Sequence, residues 1–324
     1  MAGFGRKSFK PDLAVPNGIA QAIVDRVLPG RTLAAVTCLQ GGEMGAVYEL
    51  SLAEAHRSLV LKVYPQEFQW KMRKEVAVIG RLDGRLTVPI PRILLVDDSK
   101  SLLDLNFVVM NKLDGEVLAA LEDDLVTEEV LSAYTQMGRL LRECHQIPME
   151  AFGYIGPHGL WSSQPTNHAY VTNRFESKSE EFIERGGNPG LARRVAAYVR
   201  AHEDLLHACA LPVLCHNDFH ARNVLASKGS GTLRLSGILD FEGAQAADPL
   251  MDLAKTLYCC PDVDDAKRAA LLDGYGEPAR KNWRKTVELY YLYYILEFWC
   301  WMALLGNAEP LPRLAAQMEG YTAT

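Results

Sequence analysis

Several broad classes of protein are excluded by what this 324-residue chain lacks. Basic residues are not in excess: the net charge is −6, which argues against a general nucleic-acid binder, whose affinity rests on clustered Lys and Arg. The seven cysteines are odd in number and contain no C-x-x-C pair, so neither a disulfide framework nor a zinc site is readable. The adjacent Cys259 and Cys260 read as helix core. No apolar stretch follows Met1, so no secretory signal is expected and a cytoplasmic location follows. The longest apolar run, Leu289 to Leu305, is rich in Tyr and interrupted by Glu297, which suits a buried helix better than a membrane span. Internal repeats and low-complexity tracts are also missing. What remains is 48% hydrophobic, enough for the packed core of a globular protein.

The most informative stretch runs from Leu214 to Phe241. His216, Asp218 and Asn223 form H-x-D-x-x-x-x-N, and an apolar strand from Leu235 to Leu239 then delivers Asp240 into D-F, seventeen residues after Asn223. This spacing fits phosphoryl transfer. Nucleotide and magnesium bring most of the reactivity, so the protein has to position a hydroxyl, neutralise phosphate charge and exclude water. Asp218 is the candidate that orients the acceptor hydroxyl. Asn223 and Asp240 offer hard oxygens for Mg2+. His216 reads as a brace for the loop, and His145 as a structural residue at a helix end.

These residues, with the continuation F-E-G-A-Q-A-A-D-P-L-M-D-L-A after Asp240, resemble the aminoglycoside phosphotransferase family and its choline-kinase-like and homoserine-kinase-like relatives. Glu242, Asp248, Pro249 and Asp252 occupy the family's strand-exit positions. The resemblance implies an α+β, bilobal protein-kinase-like fold: a small β-rich N-terminal lobe and a larger, mainly α-helical C-terminal lobe. Protein kinases would show H-R-D, D-F-G and a later A-P-E, and none of these is intact here. The acceptor is therefore expected to be a small molecule, and no obligate protein partner is evident.

The N-terminal third can be read against these demands. Gly41, Gly42 and Gly45 lie between two β-rich runs, Leu33 to Leu39 and Val47 to Leu52, where a hairpin tip could bring backbone amides to phosphates. Ser58 to Tyr64 alternates so that Lys62 falls among apolar strand neighbours, where an ammonium needs a partner. Phe68, Met72, Val76 and Ile79 recur at helical spacing and turn Glu75 toward that face, making it the candidate partner of Lys62, with Glu67 as the competitor. A solvated Glu75 paired with Lys71 or Arg73 is the alternative. By the resemblance, Met110 would line the base pocket, while the Asn111 carbonyl and the Leu113 amide would meet the nucleobase.

The implied organisation is a nucleotide-binding lobe over residues 1–110, a hinge over 111–115 and a catalytic and acceptor-binding lobe over 116–324. Helices are expected over Thr127 to Gln146, Leu191 to Ala210 and Asn282 to Leu305. Phe152 to Gly190, dense in Gly, Pro, Ser and Asn, reads as an irregular variable insertion near the acceptor cleft. Glu242, Glu297 and His158 are the acceptor-side candidates. The expected activity is ATP- or GTP-dependent transfer of a γ-phosphate to a small-molecule hydroxyl, on an aminoglycoside-type antibiotic or, alternatively, on choline, homoserine or a sugar. A nucleotide-binding pseudokinase is the third reading, although Lys62, Asp218, Asn223 and Asp240 are all present.

Overall fold

The computed structural model describes the chain apart from residues 1–10, 12, 40–44, 54–57, 230, 260–262 and 324. Its first part is built on an antiparallel sheet. Helix α1 (Asn17–Val27) precedes strands β1 (Leu33–Leu39), β2 (Ala46–Leu52) and β3 (Ser58–Tyr64). Helix α2 (Gln69–Leu82) follows, entered through a single 3-10 turn, then β4 (Ile93–Asp97) and β5 (Asn106–Asn111). The spatial order is β1-β2-β3-β5-β4. Period-two alternation gives β3 two faces: Leu59, Leu61 and Val63 join a core with Ala20, Ile23 and Val24 of α1. Val60, Lys62 and Tyr64 occupy the other face, where Tyr64 packs with Met72 of α2.

The second part is mainly helical. Strand β6 (Glu116–Val117) and helix α3 (Leu118–Leu121) lead into α4 (Thr127–Cys144). Strands β7 (Phe152–Gly156) and β8 (Gly159–Gln164), helices α5 (Asn167–Glu184), α6 (Pro189–Ala201) and α7 (Glu203–His207), and strand β9 (Val213–Cys215) come next. The hairpin of β10 (Val224–Gly229) and β11 (Thr232–Ile238) is followed by β12 (Gln245–Ala247) and helices α8 (Pro249–Tyr258), α9 (Asp265–Tyr275), α10 (Trp283–Leu304) and α11 (Leu311–Thr322). The strands form two small sheets, ordered β11-β10-β6 and β8-β7-β12-β9. Helix starts are written in the sequence: Asn188 caps α6 and Asp248 caps α8, each with Pro at the first helical position, where its missing N–H costs nothing.

Helix α10 is apolar almost all round because protein surrounds it. Among the described residues no helix is long and apolar enough to cross a membrane. Helices α4 and α9 pack closely through paired glycines. A methyl group at Gly138 would collide with the Leu271 carbonyl, and one at Gly274 with the Thr135 carbonyl.

The helix expected over Leu191 to Ala210 is interrupted at His202, whose non-helical backbone separates α6 from α7. A larger correction concerns Phe152 to Gly190. It is not irregular: it holds the β7–β8 hairpin and the eighteen-residue helix α5, whose Tyr170, Val171, Phe175 and Phe182 enter the main core. Its glycines and prolines punctuate regular elements. Gly186 takes φ +93° just after α5, and the Gly187 amide donates to the Phe182 carbonyl at 2.8 Å, closing the helix end.

Candidate active site

The loop between β9 and β10 carries His216, Asp218 and Asn223, and it is held from beneath by one buried carboxylate. Asp252, on the first turn of α8, accepts from the His216 amide at 2.6 Å and the Asn217 amide at 2.8 Å. Burial opposes its charge, but the hydrogen bond from His145 and the fields of His145 and His216 hold Asp252 below its ordinary value. His145 Nε2 lies 3.2 Å from that carboxylate, and its Nδ1 2.8 Å from the Tyr275 hydroxyl. Asn217 has φ +60°; its side chain donates to the Gly243 carbonyl at 3.1 Å and accepts from the Tyr294 hydroxyl at 2.8 Å. His216 Nε2 donates to the Leu239 carbonyl at 3.0 Å, which fits a neutral ring; burial lowers its pKa.

That bond ties the loop to the end of β11. The Leu239 amide donates to the Asn223 carbonyl at 2.8 Å, so the two segments bearing Asn223 and Asp240 are stitched together. Asp240 sits at φ 63°, ψ 67°, a left-handed conformation that costs a non-glycine residue roughly 1–3 kcal/mol and persists only where neighbours enforce it. Asn223 Nδ2 donates to the Asp218 carbonyl at 2.9 Å and to Asp218 Oδ2 at 3.1 Å. Asp218 is partly exposed, with His220 Nε2 at 3.5 Å. Burial would raise its pKa, but His220 and then Lys255 outweigh burial and hold the carboxyl well below the usual range.

Lys62 reaches this centre from β3. Its Nζ lies 2.9 Å from Glu75 Oε2, 3.0 Å from Asp240 Oδ1 and 3.3 Å from Glu242 Oε2. Burial disfavours the ammonium, but Asp240 and Glu75 overrule it and keep Lys62 charged. The Tyr64 hydroxyl also donates to Glu75, and burial raises that carboxyl despite the pull of Lys62. Glu75, rather than Glu67, is thus the partner of Lys62.

Beyond Glu242 the character of the site changes. Lys71 Nζ is 3.2 Å from Glu242 Oε1, so this carboxylate is shared between two lysines. Arg174, on α5, donates to the Tyr170 hydroxyl at 2.8 Å, the Tyr293 hydroxyl at 2.7 Å and Glu297 Oε1 at 3.1 Å, and also to Gln245 Oε1. Lys74 is fully buried with its Nζ 3.5 Å from the centroid of the Tyr154 ring. Trp70 of α2 packs against Tyr154 and, at 5.4 Å between centroids, against the half-exposed Trp161 of β8.

The structure therefore brings Lys62, Glu75, Asp240 and Glu242 into contact and links Asp218 to Asn223. Met110 is buried against Tyr64, Met72 and Val108, while Asn111 Oδ1 accepts from the Arg92 amide at 2.6 Å. Leu113, two residues past the end of β5, is half-buried. Gly45 is so close to β3 that a methyl there would lie 2.9 Å from the Val63 carbonyl; Gly41 and Gly42 fall outside the described residues. Glu297 is engaged by Arg174 and Tyr293. His158 is exposed at the β7–β8 turn and makes no hydrogen bond or ion pair with the described residues. Sequence reasoning named Asp252 only as part of a motif, and it missed Lys74, Arg174, Gln245 and Lys255. Lys74 lies three residues after Lys71, on the same helical face, which was the available signal.

No curated protein matches the chain. Solved structures do match its fold. A thermostable mutant of aminoglycoside phosphotransferase APH(4)-Ia, in ternary complex with ADP and hygromycin B, aligns with a TM-score of 0.71 at 15% identity, over 94% of this chain and 98% of the other. The GDP and kanamycin complex of APH(2'')-IIIa aligns at 0.67 and 16%, over 93% and 97%. ADP-bound APH(2'')-Ib gives 0.68 and 18%, over 94% and 97%. These likenesses bear out the α+β fold, a β-rich N-terminal part followed by a helical C-terminal part. A sequence profile described as the phosphotransferase enzyme family matches residues 36–289, most of the chain, so the protein belongs to the phosphotransferase enzyme family.

Proposed function

We propose that the protein transfers the γ-phosphate of ATP or GTP to a hydroxyl of a small molecule bound beside Asp218. One observation carries this reading: Lys62, paired with Glu75, reaches Asp240, and Asp240 is stitched to the loop bearing Asp218 and Asn223. In it, Lys62 neutralises donor phosphates, and residues 111–115 link a nucleotide-binding lobe (1–110) to a catalytic lobe (116–324). Met110, the Asn111 carbonyl and the Leu113 amide hold the base, and Gly41, Gly42 and Gly45 cover the phosphates.

Asn223 Oδ1 and Asp240 Oδ2 make no hydrogen bond or ion pair with the described residues, so two hard oxygens are left for a dication, a donor set that fits magnesium. Asn223 and Asp240 would hold magnesium, which would offset phosphate charge once nucleotide is bound. Asp218, kept ionised by His220 and Lys255, accepts a hydrogen bond from the acceptor hydroxyl and aims it in line with the γ-phosphate. Its low basicity suits an orienting group, because a loose transition state needs little proton abstraction before the phosphoryl group departs.

The acceptor class turns on charge. The neighbouring structures hold hygromycin B and kanamycin, polycations whose amines call for free carboxylates. Here Glu242 already pairs with Lys62 and Lys71, and Glu297 with Arg174. That engagement favours the metabolic reading over an aminoglycoside. The test is Asp218→Asn in an assay coupled to ADP release. Turnover is expected to fall by about a thousandfold or more while nucleotide affinity by calorimetry is kept; near-normal turnover would reject the assignment.

A further inference from the structure

Hydrogen-bonding capacity on the acceptor side is unevenly spent. The carboxylates there are engaged: Glu242 by Lys62 and Lys71, Glu297 by Arg174 and the Tyr293 hydroxyl at 3.0 Å. The unspent groups are donors. Lys74 Nζ and Gln245 Nε2 are buried without a hydrogen-bond partner, and Lys255 Nζ, 5.2 Å from the Tyr294 ring centroid, makes no hydrogen bond or ion pair with the described residues. All three neighbour the network of Arg174, Glu242 and Glu297. Gln245 accepts from Arg174 through its other amide atom, Lys74 lies in the fields of Lys71, Glu242 and Arg174, and Lys255 lies in the fields of Glu297 and Asp218.

A buried donor with no partner costs free energy unless a ligand satisfies it. An unpaired ammonium costs more than an amide, and a cation such as an aminoglycoside amine would add repulsion instead of a bond. We propose that the acceptor carries an anionic group, a carboxylate or a phosphate, next to the hydroxyl that is phosphorylated, and that Lys74, Gln245 and Lys255 are its specificity-determining contacts. The proposal rests on the phosphotransferase reading and narrows its substrate class.

The electrostatics agree with this assignment. Burial, and then the nearby Lys71, push the Lys74 ammonium down to about 6, so it is poorly charged until a negative partner arrives. Lys255 behaves oppositely: burial disfavours its charge, but Glu297 and Asp218 raise its pKa, leaving a fixed cation beside the proposed hydroxyl-orienting carboxylate. Trp70 packs against Tyr154 and Trp161, the Tyr154 ring faces Lys74, and Lys71 is held by Glu242.

The test uses the full chain with ADP and magnesium filling the nucleotide site, titrated by calorimetry with glycerate, glycerol 3-phosphate, glycerol and kanamycin. At least one acid is expected to bind tenfold or more tightly than glycerol. That preference should drop about tenfold in Lys255→Gln, a partly exposed position, and in Lys74→Met, with nucleotide affinity retained in both. Equal binding of acids and glycerol, tighter binding of kanamycin, or an acid preference unchanged in both variants would overturn the proposal. A parallel ADP-release assay separates the two readings. Acid binding without phosphate transfer to any acceptor would reject the phosphotransferase reading alone, while turnover of kanamycin with no acid binding would reject the anionic acceptor alone.

Discussion

The ends of the site proposed to take the phosphoryl donor and the acceptor are charged on opposite principles. At the donor end, one lysine is over-supplied with carboxylates: Lys62 meets Glu75, Asp240 and Glu242, whose oxygens lie within 4.8 Å of one another. At the acceptor end, two lysines are under-supplied, Lys74 and Lys255 lacking any hydrogen-bonded or ionic partner among the described residues. The two ends meet along one face of helix α2, where Lys71, Lys74 and Glu75 are neighbours and Glu242 bridges Lys62 and Lys71. The contrast teaches that the two ends would be left short of opposite partners: oxygens of Asn223 and Asp240 at the proposed donor end, and nitrogens of Lys74, Gln245 and Lys255 at the proposed acceptor end.

The sharpest way to break the donor side is Asp240→Ala. It removes both a proposed magnesium oxygen and a partner of Lys62, so magnesium-dependent nucleotide affinity in calorimetry should fall by about a hundredfold or more. Unchanged magnesium titration would uncouple this carboxylate from the nucleotide.

Next in size is Asp252→Asn, which places a donor against one of the two loop amides that the carboxylate now satisfies. A stability loss of about 2–4 kcal/mol is expected in urea unfolding, with slower turnover. Its pH dependence has a definite sign. The folded carboxyl lies below its ordinary value, so the contribution is full above the unfolded pKa and is lost as pH falls through the folded one. The gap between wild type and variant should therefore narrow in acid.

The smallest effect runs the other way. Lys74→Met removes a buried, unpaired amine and should stabilise the protein by about 1 kcal/mol or more near neutral pH, read as a melting temperature higher by about 2–4 °C. Burial pushes the folded amine down to about 6, against 10.5 for an unperturbed lysine, so between those values the unfolded chain binds the extra proton. Wild-type stability rises with pH through that window, and the advantage of the variant should shrink toward pH 10. A destabilised variant would mean that Lys74 is already satisfied, which would undercut the contrast between the two ends.

The same contrast explains what the sequence made readable. The residues proposed for the donor side answer to the geometry of phosphate and metal, which would impose spacing: Asp218 to Asn223 to Asp240 is short in sequence, and Lys62 and Glu75 each sit in a clean local period, two on β3 and 3.6 on α2. The acceptor side is assembled from α2, α5, β12, α8 and α10, and no single period links Lys74, Arg174, Gln245, Lys255 and Glu297. Arg174 was hidden further, because its helix lay in a stretch whose Gly186, Gly187 and Pro189 read as disorder of pattern. In three dimensions they end one helix and begin the next. Buried cations are missed for a simpler reason: on a sequence alone, Lys on a helix reads as solvent-facing.

The indole pair of Trp70 and Trp161 joins helix α2 to the β7–β8 hairpin, with ring centroids 5.4 Å apart. If the two proposed lobes move against each other, that separation would change, and intrinsic indole fluorescence would report the movement without an attached dye.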